Sequence, residues 1–114
     1  MTANVTDVFN SSNISIAVKF IPDAAIGNSF TLFATGDNQY FINSYSTGFR
    51  VYLGFQNLGT IVSANINSYW NVGKENVLII RGTSGSAKTW LNGILLQTSG
   101  AAWSPVNSTN ILIG

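Results

Sequence analysis

Apolar and polar residues alternate along several short stretches of the chain. In residues 49–55 every second side chain is apolar, whereas Arg50 and Tyr52 fall on the other side. Residues 14–20 alternate in the same way. Because successive side chains of a β-strand point to opposite faces of a sheet, this period of two predicts half-buried strands.

The stretch 76–96 predicts a three-strand antiparallel meander. Its apolar runs are separated by a Ser/Gly turn after Thr83 and by the pair Asn92-Gly93. An Asn-Gly pair between apolar runs is the strongest short-range hairpin signal, because both residues tolerate the positive φ of a type I′ turn.

Short strands separated by Gly, Asn and Ser turns account for the rest of the chain. No stretch keeps helical spacing over the roughly dozen residues of an ordinary helix. The pattern predicts one all-β domain, residues 1–114, built as a two-layer antiparallel β-sandwich or jelly roll, with residues 1–10 as a lead-in or an edge strand. The remaining predicted strands are residues 30–35, 40–45, 60–66 (after a turn at Asn57-Leu-Gly) and 110–114.

The composition excludes several kinds of chemistry. The 114 residues contain no cysteine and no histidine, which excludes disulfides, thiolate chemistry, the usual zinc ligands and imidazole catalysis. A net charge of +1 gives no electrostatic footprint for nucleic acid, and no apolar run is long enough for membrane insertion. Only 8% of the residues are charged, which predicts a homo-oligomer or a place in a larger assembly; an ordinary soluble β domain is the alternative.

Five segments, taken in order, carry a likeness to a known group of proteins. They are an alternating first strand, a Phe-x-Val-x-Leu strand, a Trp ahead of an apolar strand, an aromatic-x-Asn-Gly hairpin and a terminal Ile-Leu-Ile-Gly. The segments are residues 14–20, 49–53, 70 with 76–81, 90–93 and 111–114. The chain resembles the concanavalin A-like lectin/glucanase superfamily, in particular its laminin-G-like jelly-roll branch.

The resemblance has one departure. Domains of that superfamily continue past the last segment into a final long strand, which this chain lacks. A sandwich without that strand would expose unpaired backbone groups. Three explanations stay open: the chain is a fragment, residues 1–10 fill the gap, or a neighbouring subunit adds a strand by β-augmentation.

The resemblance also raises the question of catalysis by paired carboxylates, as in glucanases. A retaining glycosidase needs two carboxyl groups about 5 Å apart, and an inverting one needs a wider pair. The acidic residues all fall in predicted turns or in the lead-in: Asp7, Asp23, Asp37 and Glu75. With no pair of acids on a strand and no histidine as base, we expect a protein that is not an enzyme.

Many relatives in the superfamily hold calcium with oxygen atoms from loops. Calcium takes about six to eight oxygen ligands, usually including carboxylates. Asp37 and Asn38 are the best local candidates for a calcium site, and Asp23 is the second. The alternative is that the Asp-Asn pair only forms a turn, in which case no cofactor is required.

Sugar binding would use an aromatic platform beside hydrogen-bonding side chains. If the apolar stripe of residues 49–55 is core, Arg50 and Tyr52 lie on the sheet face where relatives bind ligands. Tyr40, Asn43 and Tyr45 are expected to border the same surface. The alternative is that these aromatics only stabilise the sheet as cross-strand neighbours.

The three tryptophans are assigned by their surroundings in the sequence. Trp70 and Trp90 flank predicted strands at positions where the superfamily places packing residues, so we expect both in the core. Trp103 lies in a Gly/Ala/Ser/Pro loop. We expect it to be exposed and to be a further ligand-binding residue.

Two functions follow as hypotheses. In the first, the chain is a non-catalytic, lectin-like binding or adhesion module that presents a sheet face to a glycan or a protein surface. In the second, it is a decoration, fibre or spike component of a virus particle that uses the jelly roll for assembly. No signal peptide is visible after Met1. The expected location is extracellular or on a virion surface.

Overall fold

The computed structural model describes residues 2–4, 12–25, 30–36, 40–45, 48–54, 56–62, 66–104 and 110–113. Ten strands joined by turns lie in this part of the chain. They are β1 (Thr2–Asn4), β2 (Asn13–Phe20), β3 (Phe30–Thr35), β4 (Phe41–Tyr45), β5 (Gly48–Leu53), β6 (Gln56–Val62), β7 (Asn76–Thr83), β8 (Ser86–Leu91), β9 (Ile94–Ser99) and β10 (Asn110–Ile113). Among the described residues, no helix has the length and apolar character to cross a membrane.

The strands form two antiparallel sheets. The six-stranded sheet has the order β1-β10-β3-β4-β5-β6, and the four-stranded sheet has the order β2-β7-β8-β9. Every pair of neighbouring strands is antiparallel. The predicted all-β, two-layer antiparallel sandwich is confirmed.

The core lies between the inner faces of the two sheets. Burial alternates along β5 and β7, as the period of two predicts. The largest core residues that are almost fully buried come from both sheets and from the turn before Trp70: Tyr40, Ile42, Phe49, Leu53, Ile66, Leu78, Ile80 and Leu91.

The meander of β7, β8 and β9 is present as predicted. At the β8–β9 reversal, φ is 51° for Asn92 and 83° for Gly93. Positive φ at both residues is the requirement of a type I′ turn. The Asn92 backbone N–H also donates to the Val77 carbonyl oxygen at 2.9 Å, which joins the turn to β7.

The first residues of the chain contribute an edge strand. Strand β1 pairs with β10, with Thr2 opposite Leu112 and Asn4 opposite Asn110. Residues 2–4 thus lie at the edge of the six-stranded sheet, while residues 5–10 lie outside the described part.

Strand β6 begins earlier than the sequence predicts. The predicted turn at Asn57-Leu-Gly lies inside β6, and the reversal is at Gly54 instead. Gly54 has a φ of 54°, and a Cβ there would collide with the Ser104 carbonyl oxygen, so the backbone needs glycine at this position. Ile66, predicted as the end of a strand, instead has helical backbone and lies buried just before the turn at residues 67–69.

Trp70 links the two sheets. Its ring lies 5.1 Å from the ring of Phe20 on β2 and 5.8 Å from the ring of Phe49 on β5, centroid to centroid. The indole N–H donates to the Ala24 carbonyl oxygen at 2.9 Å, so the one polar atom of this buried side chain is satisfied. The predicted core position of Trp70 is confirmed.

Candidate functional site

The outer face of the six-stranded sheet brings together three of the residues predicted to bind ligand. Asn43 on β4 is directly opposite Arg50 on β5, and Tyr52 lies two residues further along β5. All three side chains are half-buried. Phe49 and Val51, which alternate with Arg50 and Tyr52 along β5, are buried in the core. The period of two therefore correctly predicted that Arg50 and Tyr52 lie on the face of β5 opposite the core.

A fourth residue, Asn57, joins this group. It lies on β6 directly opposite Tyr52 and is half-buried. The β5–β6 register shifts between Arg50 and Tyr52, and such a bulge re-aims nearby side chains. The sequence did not indicate Asn57 as a site residue, because residues 57–59 were predicted to form a turn. We call Asn43, Arg50, Tyr52 and Asn57 the Arg50 face.

The dimensions of the Arg50 face follow from sheet geometry. Arg50 and Tyr52 are two residues apart, which is about 7 Å along the strand, and the three strands β4, β5 and β6 span about 10 Å. The group offers a guanidinium, a phenol and two primary amides. It contains many hydrogen-bond donors, several acceptors and one flat ring, but no carboxylate.

The Asn43 side chain on the Arg50 face carries a buried acceptor atom. Asn43 Oδ1 accepts no hydrogen bond within the part of the chain that the structure describes. A buried acceptor left unsatisfied costs about 1–3 kcal/mol, so each such atom calls for an explanation. By contrast, Asn57 Oδ1 accepts from the Gly59 backbone N–H at 2.9 Å, which fixes the orientation of that amide.

Three further candidates are tested only in part or not at all. Tyr45 lies in β4 with its backbone opposite Gly48, but its side chain is outside the described part. The proposed calcium ligands Asp37 and Asn38 also lie outside it. Within the described residues, no three side chains of the His, Cys, Asp and Glu types cluster as metal ligands would.

The prediction that Tyr40 borders the ligand-binding surface is wrong. Tyr40 is fully buried in the core. Its backbone is fixed at the β3–β4 turn, where the Thr35 N–H donates to the Tyr40 carbonyl oxygen at 2.8 Å. Tyr40 precedes Ile42 by two residues, so the alternation that sends Ile42 inward sends Tyr40 inward as well.

The prediction that Trp103 is exposed is also wrong. Only 5% of Trp103 is exposed, and it belongs to the core cluster. The Ser84 hydroxyl holds it in place: Ser84 Oγ donates to the Trp103 carbonyl oxygen at 2.8 Å and accepts from the Trp103 backbone N–H at 2.8 Å. The composition of the surrounding loop predicted exposure because Gly, Ala, Ser and Pro are typical of turns, but it does not report on this contact with Ser84.

The core assignment of Trp90 is the third correction. Trp90 is half-buried and belongs to the outer face of the four-stranded sheet, whereas its neighbours Thr89 and Leu91 are the buried residues of β8. Its cross-strand partners are Ile79 on β7 and Leu95 on β9.

Comparison with solved structures shows a shared fold. The chain is similar to the carbohydrate-binding module CBM66 from Bacillus subtilis, with a TM-score of 0.57 and 12% sequence identity over 98% of this chain and 74% of that one. It is also similar to an alginate lyase of polysaccharide lyase family 7, with a TM-score of 0.49 and 14% identity over 99% of this chain and 50% of that one.

No protein-family model matches the chain, and no curated protein matches its sequence. The comparisons therefore give no support to the narrower laminin-G-like assignment. What they show, together with the two antiparallel sheets, is that the chain has a jelly-roll β-sandwich fold.

Proposed function

We propose that the protein is a non-catalytic carbohydrate-binding module that uses the Arg50 face. The observation that carries this proposal is the register that brings Asn43, Arg50, Tyr52 and Asn57 to one side of β4, β5 and β6. Because the opposite side of β5 is packed in the core, the backbone that carries Arg50 and Tyr52 is held in place before a ligand arrives.

The chemistry of the Arg50 face suits a sugar. The Tyr52 ring offers an apolar surface for the C–H face of a sugar ring, and its hydroxyl offers a polar tip. The Arg50 guanidinium donates hydrogen bonds to hydroxyl oxygens, and the amides both donate and accept.

Two further points favour binding over catalysis. Asp23 and Glu75, the acidic residues in the described part, are exposed and lie outside the Arg50 face. One structure of similar fold is, by its description, a carbohydrate-binding module. No observation favours the alternative of a virion component, and the predicted oligomeric state stays a prediction.

The substitution Tyr52→Ala tests the proposal. After a glycan array identifies a ligand, we expect the variant to bind it about fivefold or more weakly, because truncating an aromatic anchor costs more than about 1 kcal/mol. The melting temperature should change little, since Tyr52 is only half-buried. Tyr69→Ala is the matched control, because Tyr69 is 39% exposed and lies in a turn away from the Arg50 face.

Unchanged affinity of the Tyr52→Ala variant would remove the Arg50 face from the proposal. A chain that forms a stable oligomer and binds no glycan on the array would contradict the proposed function itself and favour assembly.

A further inference from the structure

We propose a second binding surface, on the outer face of the four-stranded sheet, for an acidic polysaccharide chain that carries carboxylate groups. We call Arg81, Lys88, Trp90 and Leu95 the Trp90 face. It belongs to the other sheet from the Arg50 face, so it is a separate site.

The first observation is a like-charge pair. Arg81 on β7 and Lys88 on β8 are directly opposite each other, and both are exposed. Like charges at directly opposed positions of a sheet are destabilising. The chain has 5 basic residues in all, so placing two of them in register needs a reason. An anion held between the two side chains would supply one.

The second observation is that no acidic side chain on this sheet balances the pair. Strands β2, β7, β8 and β9 are described in full, and they contain no Asp or Glu. The neighbouring acid, Glu75, is already 3.6 Å from Lys19 Nζ in an exposed ion pair. The carboxylates for Arg81 and Lys88 must therefore come from outside the sheet.

The third observation is an apolar row beside the basic pair. Trp90 is half-buried between Ile79 and Leu95, and Leu95 is 49% exposed. On β8, Trp90 follows Lys88 by two residues, so the Cα atoms of the two residues lie about 7 Å apart along the strand and their side chains share a face. This spacing allows one sugar ring to pack on Trp90 while a carboxylate on the same chain meets Lys88.

The fourth observation is a groove that continues from Arg81. It has a volume of about 430 Å³, and its surface is more apolar than polar, although four of its six lining residues carry polar side-chain groups. The lining residues are Asn13, Ile14, Ser15, Arg81, Gly82 and Thr83. Hydroxyl, amide and guanidinium groups along one open groove match the hydroxyls and carboxylates of an extended polysaccharide.

These features favour an acidic polysaccharide over an anionic membrane or a second copy of the chain. Membrane recognition by charge typically uses clusters of about four to eight basic residues, which is more than this face has. A second copy would set the same basic pair against itself, which is unfavourable.

Affinity electrophoresis in gels that contain polygalacturonate tests the proposal. We expect the wild-type protein to be retarded, and the double variant Arg81→Gln/Lys88→Gln to lose most of that retardation, equivalent to at least a tenfold weaker affinity. The control Lys74→Gln removes an exposed charge from a turn outside the face and should change the affinity less than about twofold. Retardation should also weaken as salt rises, because salt screens exposed charges.

A second variant separates the ring from the charges. Trp90→Leu keeps an apolar side chain on the sheet but removes the flat ring, so we expect weaker retardation with an unchanged circular dichroism spectrum. Tyr69→Ala, outside both faces, should leave polygalacturonate retardation unchanged, whereas weaker retardation of Tyr52→Ala would indicate that the polysaccharide binds the Arg50 face instead.

Three results would overturn the proposal. The first is an equal loss of retardation in Lys74→Gln, which would indicate net charge alone. The second is unaltered retardation in the double variant. The third is co-sedimentation with phosphatidylserine vesicles without retardation by polygalacturonate, which would indicate a membrane surface.

Discussion

Asn76 is a fully buried polar residue whose amide makes four hydrogen bonds. Its Nδ2 donates to the carbonyl oxygens of Asn71 at 2.8 Å and of Lys74 at 2.9 Å. Its Oδ1 accepts from the Asn71 backbone N–H at 3.0 Å and from Asn92 Nδ2 at 2.9 Å. The side chain thus ties the start of β7 to the turn before it and to the β8–β9 reversal.

Truncation of this amide should be costly. We expect Asn76→Ala to lower the free energy of unfolding by about 3 kcal/mol or more, because it leaves several buried groups without partners and each costs about 1–3 kcal/mol. Urea denaturation followed by circular dichroism measures the loss. Asn67→Ala, at an exposed position, should fall within about 0.5 kcal/mol of wild type. Equal losses in both variants would contradict this role of Asn76.

Three aromatic residues show which burial states the sequence could predict and which it could not. The alternation from Lys88 to Leu91 contains the signal that Trp90 faces outward, and the spacing of Tyr40 from Ile42 contains the signal that Tyr40 faces inward. For Trp90 this signal was outweighed by the resemblance, which implies a packing residue at that position. For Tyr40 it was outweighed by the expectation that aromatic residues form the sugar-binding surface. The burial of Trp103 had no such signal, because it depends on Ser84, which is 19 residues away in the chain.

Among the elements, the β7–β8 hairpin depends on one glycine. Gly82 has a φ of +148°, and a Cβ there would collide with the Ser86 carbonyl oxygen and lie 2.8 Å from the Ala87 Cα. Backbone atoms cannot move aside as a flexible side chain can. Gly93 in the β8–β9 turn has a φ of +83°, but a Cβ there would meet no atom within 4 Å.

Three glycine-to-alanine substitutions should therefore lower the free energy of unfolding by amounts that rank in a fixed order. We expect Gly82→Ala to cost more than about 2 kcal/mol, because strain and collision add. Gly93→Ala should cost about 1 kcal/mol through strain alone. Gly100→Ala is the control, since its φ is not positive and the space around it is open; its stability should be unchanged or slightly raised. Urea midpoints measure the ranking, and a Gly82→Ala variant as stable as Gly100→Ala would contradict it.

The elements were predicted best where the pattern was local. The Asn92-Gly93 reversal and the alternation in residues 14–20 gave strands with nearly the observed bounds. Strand β6 was displaced because its turn at Gly54 depends on the approach of Ser104, which the local sequence does not reveal. Pairings between distant segments, such as β1 with β10, could be stated only as alternatives.

At the scale of the whole molecule, Trp70 is the aromatic contact between the layers. Phe20 belongs to the four-stranded sheet and Phe49 to the six-stranded sheet, and both rings pack against the indole. Aromatic pairs at such distances add to the free energy gained from burial alone.

Removal of this contact should destabilise both sheets together. We expect Trp70→Ala to lower the free energy of unfolding by about 3–5 kcal/mol. Circular dichroism and the fluorescence of the remaining tryptophans, Trp90 and Trp103, should report a single shared transition in urea. Two separate transitions, or a loss no larger than that of Tyr69→Ala, would contradict a shared core.

The sequence predicted which face of β5 carries the candidate site, but it did not predict all of the residues on that face. Arg50 and Tyr52 share a face because periodicity within a strand is a local property, and Asn43 joins them through the register of β4 and β5. Asn57 was missed because a turn was predicted at that position. The Trp90 face was missed because Arg81 and Lys88 come together only once β7 and β8 are paired.

The reversal at Asn92-Gly93 is also the place where we expect slow chemical modification of the protein. Asn-Gly sequences deamidate readily, since glycine leaves the backbone nitrogen unobstructed for attack on the asparagine side chain. Here the Asn92 Nδ2 donates to the Tyr69 carbonyl oxygen at 2.8 Å and to Asn76 Oδ1 at 2.9 Å. Conversion to aspartate would set a negative oxygen against those two acceptors. Ageing of a stored sample should therefore begin to loosen the sandwich at this corner.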